Sequence, residues 1–264
     1  MSETGSFAGR TAVVTGGAGG IGRAVCAGFA AQGASVAVVD TAEDAVQETV
    51  EEVRAVAGSP DGQRVAGYTV DVRDEVAVRA LMQRVHDDLR GPHVLVTLAG
   101  GSLGTPRDLP EIEPEDVDLV VDVNVKGTFY CCQAAVPFMT EAGGGAVVVI
   151  SSVGGRQPSP VTGVPYATSK AAVAGLTRRL ASEVGHQGVR VNAVAPGLFL
   201  TGRLLQMYDE MPEAQRQAVL DAIPLDRFPD VRELVDPILF LSSYQASYIT
   251  GVVLDVNGGR FMPL

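Results

Sequence analysis

The chain has 264 residues, 46% of them hydrophobic and 19% charged, which suits one α/β domain with a large core, although the length also allows two small ones. A net charge of −11 argues against nucleic acid or an anionic membrane surface as a partner. No apolar run approaches the ~18 residues a membrane helix needs, and the stretch from Met1 to Arg10 is short and polar, without a secretory core.

Thr11-Ala12-Val13-Val14 is short, β-branched and bounded by glycine, so it reads as a buried strand. Thr15-Gly16-Gly17-Ala18-Gly19-Gly20-Ile21-Gly22 follows, and a helix is expected over 20–32. In a strand–turn–helix context, glycines let the backbone approach a pyrophosphate and the helix N-terminus favours its charge. Two spacings fit: Gly17, Gly19 and Gly22 as G-x-G-x-x-G, or Thr15-Gly16, Gly20 and Gly22 as T-G-x-x-x-G-x-G. A tight turn with no ligand is the alternative. The second strand, 35–40, ends in Asp40, about 20 residues beyond the glycines. An acid there bonds the adenosine ribose of NAD and repels the extra phosphate of NADP. No Lys or Arg follows directly, and position 19 is Gly rather than basic, so NAD is the expected cofactor and NADP the lesser one. Asp40 could instead cap a helix over 42–57.

A loop through Gly58, Ser59, Pro60, Asp61 and Gly62 leads to strand 65–70, which ends at Asp71-Val72. A helix over 75–89, a strand over 93–97 and the turn Leu98-Ala99-Gly100-Gly101 come next. Residues 114–139 read as one long helix carrying Asn124 and Lys126. Strand 146–150 ends at Ser151-Ser152, and a Gly- and Pro-bearing loop leads to a helix over 165–185. Strand 189–194 runs into Ala195-Pro196-Gly197, an insertion spans 198–230, and a helix over 231–243 precedes the last strand, 252–256.

Alternating strands and helices give a parallel sheet covered on both faces, a three-layer, doubly wound Rossmann-type α/β fold in a single domain over 1–264. Ligands in such folds sit beyond the carboxyl ends of the strands. The motifs ending at Gly22, Asp40, Asp71, Gly100, Ser152 and Gly197 all fall there, so they should line one crevice.

Tyr166 and Lys170 stand four residues apart, one turn apart on one helix face. A nearby ammonium favours a phenolate. If Lys170 brought Tyr166 from ~10 toward ~7, it would supply about 4 kcal/mol of differential stabilisation. A base tuned in this way could take a hydroxyl proton while a cofactor takes the hydride. Cys26, Cys131 and Cys132 form no disulfide framework and suit a reducing, cytoplasmic setting. His86, His93 and His186 lack metal-ligand spacing and read as surface or helix-end residues, so no metal is expected.

Taken together, these motifs resemble the short-chain dehydrogenase/reductase family over essentially the whole chain. Thr15-Gly16, Gly20, Ile21 and Gly22 resemble its cofactor loop, and Asp71-Val72 its adenine-contacting pair. Asn124, Ser152, Tyr166 and Lys170 resemble its catalytic set. Pro196-Gly197 with Phe199 and Thr201 resemble the segment that holds the nicotinamide, and Thr250-Gly251 with Asn257-Gly258-Gly259 the C-terminal signature.

The resemblance implies Tyr166 as general acid/base, with Lys170 on the nicotinamide ribose. It implies Ser152 on the substrate oxygen and Asn124 placing a water that leads to Lys170. Gly16, Gly19, Gly20, Gly22, Asp40, Ala99 and Gly100 would complete the cofactor site. A homotetramer or homodimer is implied, with the helices near 114–139 and 165–185 at one interface.

Two features depart from the family pattern. Leu98 stands where a second asparagine is usual, and Ser152 precedes Tyr166 by fourteen residues, one more than usual, with Pro158 and Pro160 between them. Ser151 competes with Ser152.

The substrate is expected to be a secondary alcohol or its ketone, oxidised with NAD. Leu204, Leu205, Met207, Tyr208 and Met211 either line an apolar pocket or anchor the insertion. Arg156, Gln157 or Arg203 could meet a polar or carboxylate group. An NADPH-type 3-oxoacyl reductase and a non-catalytic nucleotide-binding protein are the competing readings. An enoyl reductase would need a wider Tyr–Lys spacing.

Overall fold

Seven short runs of β-branched residues pair in parallel, in the order β3-β2-β1-β4-β5-β6-β7. The computed structural model describes residues 7–57, 62–159 and 161–263. The polar start up to Ser6, the loop residues Gly58, Ser59, Pro60 and Asp61, and Pro160 lie outside the described residues, as do the side chains of Arg203, Leu204 and Met207.

In chain order the elements are β1 (Thr11–Thr15), α1 (Gly20–Ala31), β2 (Ser35–Asp40), α2 (Glu43–Val56), β3 (Val65–Thr69), α3 (Glu75–Leu89) and β4 (Val94–Thr97). They continue with α4 (Pro114–Val121), α5 (Thr128–Glu141), β5 (Gly145–Ile150), α6 (Val164–Val184) and β6 (Val189–Pro196). The last are α7 (Arg203–Asp209), α8 (Glu213–Asp221), α9 (Arg232–Ser242) and β7 (Val253–Val256). The predicted boundaries hold to within two residues, apart from the long helix.

The inner strands are buried on both faces, so they read as near-continuous Val/Ala runs rather than as alternating patterns, while the edge strands β3 and β7 are only partly buried. Successive side chains still point to opposite sides. Ala12, Val14, Val36 and Val38 pack with α1, α2 and α9, where Phe29, Leu234 and Ile238 are fully buried. Val13, Ala37, Leu95 and Val147 pack with α3, α5 and α6, where Met82 and Met139 are fully buried. This gives one three-layer Rossmann-type unit with two cores separated by the sheet.

The predicted helix over 114–139 is interrupted. Residues Asp122–Gly127 form a π-helical turn between α4 and α5. One extra residue widens the turn and re-aims the side chains after it, a device found mostly at functional sites. Gly127 closes against Val72, where a Cβ would lie 2.6 Å from the valine Cγ2.

His93 is not a surface residue. Its Nδ1 accepts the Thr11 N–H at 3.0 Å, and burial with the nearby Arg10 charge lowers its pKa.

Phe29 stacks edge-on against Phe7, ring centres 5.0 Å apart, and neither ring is exposed. Phe29→Ala should cost ~3–5 kcal/mol, read as a lower urea midpoint at unchanged slope. A loss under ~1 kcal/mol would contradict the close packing assigned here.

Candidate active site

Every strand from β1 to β6 ends at one rim of the sheet, and the residues just beyond the ends line a single cleft of about 720 Å³. Gly16, Gly19, Gly20, Ile21, Gly22, Asp40, Asp71, Val72, Ala99 and Gly100 line it. So do Ser152, Tyr166, Lys170, Pro196, Gly197, Phe199 and Thr201. Of the predicted site residues only Asn124 stands behind the wall.

The glycine turn is built for close approach. Gly16 has φ +69°, and a Cβ there would lie 2.7 Å from the Ala99 nitrogen; one on Gly22 would collide with the Gly16 carbonyl. Gly16 belongs only to the T-G-x-x-x-G-x-G spacing and Gly17, where a Cβ would lie 2.8 Å from the Val14 carbonyl oxygen, only to the other, so the turn uses glycines of both. No side chain caps α1, so its first amides face the cleft without an internal acceptor.

Asp40 is not a helix cap, because Ala42 holds that position in α2. Its Oδ2 accepts the Ala18 N–H at 3.1 Å and its Oδ1 the Thr41 N–H at 2.8 Å. Asp71 pairs with Arg73 at 2.6 Å, a bond that holds its carboxyl below the usual range. Arg73 also lines the cleft, as do Thr41 and Leu103, and sequence reasoning had assigned none of them. The Arg73 signal was its place two residues after Asp71.

Leu98 turns its side chain onto the α1-side core. The turn survives on its backbone: Leu98 N–H donates to the Thr15 carbonyl at 3.0 Å, and Ala99 N–H to the Thr15 hydroxyl at 3.4 Å.

The two serines after β5 separate cleanly. The Ser151 hydroxyl is buried and donates to the Lys170 carbonyl at 2.8 Å, so it is structural. The Ser152 hydroxyl accepts the Gly154 N–H at 3.0 Å and also bonds the Tyr166 hydroxyl. Lys170 is 5% exposed, and its Nζ donates to the Ile150 carbonyl at 2.7 Å. That nitrogen lies 5.8 Å from the centre of the Tyr166 ring.

The sequence expectation that Lys170 draws the phenol down is corrected. Burial pushes the Tyr166 pKa up, and only the bond with Ser152 opposes it. Burial also pushes the Lys170 ammonium down to about 8.

Asn124 sits in the π-helical turn. Its Oδ1 accepts the Gly101 N–H at 3.0 Å, while its Nδ2 donates to the Gly101 carbonyl at 3.0 Å and to the Ser169 hydroxyl at 2.8 Å. It clamps the turn after β4 to α6, and its amide is fully engaged. Ser169, three residues after Tyr166, is the partner that sequence reasoning missed.

Beyond Gly197, Phe199 is buried in the α1-side core, and Thr201 packs against Gly20. Met211 packs with a small cluster around Val161, Leu198 and Val219, and the Tyr208 ring meets Phe228 edge-on with centres 4.9 Å apart. Leu205 is 43% exposed. Met211 and Tyr208 thus anchor the insertion rather than line the cleft. Arg156 pairs with Asp255 at 3.0 Å and stacks on Phe261, and Gln157 donates to the Arg260 carbonyl at 3.1 Å. Both face the C-terminal segment instead of offering a carboxylate site. Among the described residues no group of three or more His, Cys, Asp or Glu could hold a metal ion.

Lys170 also makes stability depend on pH. It loses its proton near pH 8 when folded and near 10.5 when unfolded. Between those values the unfolded chain holds the extra proton, so the Lys170 contribution rises with pH and its burial cost is carried in full below pH 8. Thermal melts of wild type and Lys170→Met should therefore shift in favour of the wild type as pH rises through that window. A constant difference would contradict a buried ammonium.

The family model described as enoyl-(acyl carrier protein) reductase matches residues 16–260. The chain is 39% identical to the (3R)-3-hydroxyacyl-CoA dehydrogenase of Mus musculus over 256 residues, covering 95% of this chain and 96% of the other. A short-chain type dehydrogenase/reductase structure from Mycobacterium ulcerans superposes with a TM-score of 0.89 at 33% identity, over 96% of this chain and 90% of that one. A 3-oxoacyl-[acyl-carrier protein] reductase with bound NAD from Brucella melitensis superposes with a TM-score of 0.86 at 34% identity, over 98% and 93%. With the Tyr166–Lys170 helix beside a glycine-turn cleft, and matches that run nearly end to end, the chain belongs to the short-chain dehydrogenase/reductase family of oxidoreductases.

Proposed function

We propose that the protein is an NAD(H)-dependent oxidoreductase that interconverts a secondary alcohol and its ketone, with Tyr166 as general acid/base. The observation that carries the reading is the meeting of Ser152, Tyr166 and Lys170 with the glycine turn and Asp40 in one cleft. That cleft fits a dinucleotide: its turn leaves no room for a Cβ at Gly16 or Gly22, and the α1 amides beside it are uncapped.

Gly16, Gly19, Gly20, Ile21 and Gly22 would hold the pyrophosphate. Asp40 would take the adenosine ribose hydroxyls, Asp71 and Val72 the adenine side, and Ala99 and Gly100 the neighbouring ribose. Pro196, Gly197, Phe199 and Thr201 would hold the nicotinamide. Bound there, the dinucleotide supplies the hydride acceptor.

Ser152 then donates a hydrogen bond to the substrate oxygen and holds it against the Tyr166 hydroxyl. In the oxidation direction the Tyr166 phenolate takes the hydroxyl proton as the hydride leaves the carbinol carbon. In reduction the phenol returns that proton to the new alkoxide. Lys170 holds the nicotinamide ribose. Asn124 is a positioning residue. Its amide is engaged with Gly101 and Ser169, so a water leading to Lys170 would share its backbone carbonyl with the Thr128 hydroxyl, which donates there at 2.8 Å.

Asp40 supports NAD over NADP, because a carboxylate at the strand end repels a ribose phosphate. The NAD bound in the Brucella melitensis relative supports the same choice. The insertion 198–230 would lie over the substrate end. Oxidation is the physiological direction we favour. Exposed Val117, Phe129 and Val164 on α4, α5 and α6 support self-association through those helices as a homotetramer or homodimer. Three free, buried cysteines support a reducing, cytoplasmic setting. No helix among the described residues is long and apolar enough to cross a membrane.

Titration with NADH and NADPH, followed by nicotinamide fluorescence, tests the cofactor. NADPH should bind at least about tenfold more weakly, ~1.4 kcal/mol; equal binding overturns the Asp40 assignment. Tyr166→Phe should lower kcat on secondary alcohols ~10²–10⁴-fold with NADH affinity unchanged. Full activity in that variant would remove Tyr166 from the chemistry.

A further inference from the structure

Arg23 follows Gly22 directly in α1, and its guanidinium is committed on three sides. Its Nε donates to the Ala18 carbonyl at 3.0 Å. Nη1 reaches Glu52 at 2.8 Å and Nη2 reaches Glu48 at 3.2 Å, both on α2. Its side chain is 28% exposed, while Glu48 and Glu52 are 68% and 59% exposed, so the guanidinium is half-buried on the turn side and its ion pairs lie at the surface.

Ala18 is the middle of the glycine turn, and its side chain is a bare methyl. Its backbone is therefore the handle by which the turn can be fixed. Both ends of that handle are taken: the N–H goes to Asp40 Oδ2 at 3.1 Å, and the carbonyl goes to Arg23. One continuous chain of charge-assisted bonds thus runs from the α2 carboxylates through Arg23 and Ala18 to Asp40. Such bonds are about twice as strong as neutral ones.

We propose that Arg23 is a positioning residue for the dinucleotide site: by holding the Ala18 carbonyl it fixes the backbone on one side of the Ala18 Cα, which keeps the N–H on the other side in place to aim the Asp40 carboxylate into the cleft. The inference rests on the dinucleotide reading above and names a residue outside the cleft wall that it depends on. Without Arg23 the turn keeps its glycines, but the Ala18 carbonyl loses its donor and the Ala18–Gly19 peptide is left on the 3.3 Å bond from the Gly19 N–H to the Gly16 carbonyl, which loosens the backbone around the Ala18 Cα. Asp40 then loses the fixed N–H that orients one of its oxygens. Glu48 and Glu52 act one step further back: they keep the guanidinium stretched between two helices and unavailable to a ribose phosphate.

The test compares wild type with Arg23→Ala in two readouts, amide hydrogen exchange of the glycine turn without cofactor and NADH affinity by fluorescence. The expected result is faster exchange at Ala18 and NADH binding weakened about tenfold, the size of one charge-assisted hydrogen bond. The kcat at saturating NAD should stay within about twofold, because the Tyr166 geometry is untouched. Unchanged NADH affinity would overturn the inference, as would a lower kcat at unchanged affinity.

Should Arg23→Ala fail to fold, Glu48→Gln with Glu52→Gln leaves Arg23 in place and weakens its hold. That variant should show the same two changes at smaller size, and wild-type affinity in it would overturn the inference. A wild type that binds no NADH would overturn the dinucleotide reading itself. A wild type that binds and variants that bind equally well overturn only the role of Arg23.

Discussion

A single buried ammonium organises the chemical end of this molecule. Lys170 Nζ bonds the Ile150 carbonyl at 2.7 Å, at the last residue of β5. That bond fastens the face of α6 carrying Tyr166 to the strand end carrying Ser152. The Ser151 hydroxyl, bonded to the Lys170 carbonyl, repeats the attachment from the other side. Burying a charge in this way is costly, and the shift of Lys170 to about 8 is the mark of that cost. A fold needing stability alone would place a hydrophobe here. The ammonium instead stands at the wall of the cleft, bonded to a strand-end carbonyl.

The cofactor end relies on a different kind of rigidity. There the chain offers backbone rather than side chains: a turn with no room for a Cβ at Gly16 or Gly22, an uncapped helix start and an Ala18 whose N–H and carbonyl are both bonded. Its charged groups are Asp40, whose oxygens are oriented by backbone donors, and the Asp71–Arg73 pair. The two ends meet because parallel strands place all their carboxyl ends on one rim. Asn124 joins them, with Gly101 of the β4 turn on one side and Ser169 of α6 on the other. The Leu98 departure does not disturb this, because the turn it sits in is held by main-chain bonds to β1.

Much of this was legible in the sequence, and for a physical reason. Strand, turn and helix signals are local, and the Tyr166–Lys170 relation is a four-residue spacing that any helix enforces. The cleft follows from topology once the strands are parallel. What could not be read depends on contacts between distant segments. The π-helical turn at Asp122–Gly127 has no local signal, so 114–139 read as one regular helix. Lys170 reads as the partner of Tyr166 by spacing, yet its nearest acceptor is a carbonyl twenty residues earlier. Arg156 reads as a substrate contact until Asp255, a hundred residues on, is found beside it. His93 looks like a surface residue because nothing near it in sequence announces the Thr11 amide that it accepts.

The account turns on Tyr166 being a proton-transfer group whose pKa is held up by burial and brought down when a cationic nicotinamide ring arrives beside it. The most direct measurement is a pH titration of tyrosinate absorbance in wild type and Tyr166→Phe, with and without NAD. The difference between the two proteins isolates this one phenol. The account predicts that, without NAD, Tyr166 ionises above the ordinary phenol value of ~10, and that saturating NAD moves its midpoint well below that value. A midpoint that NAD leaves unmoved would contradict the account and remove Tyr166 as the group that exchanges the proton.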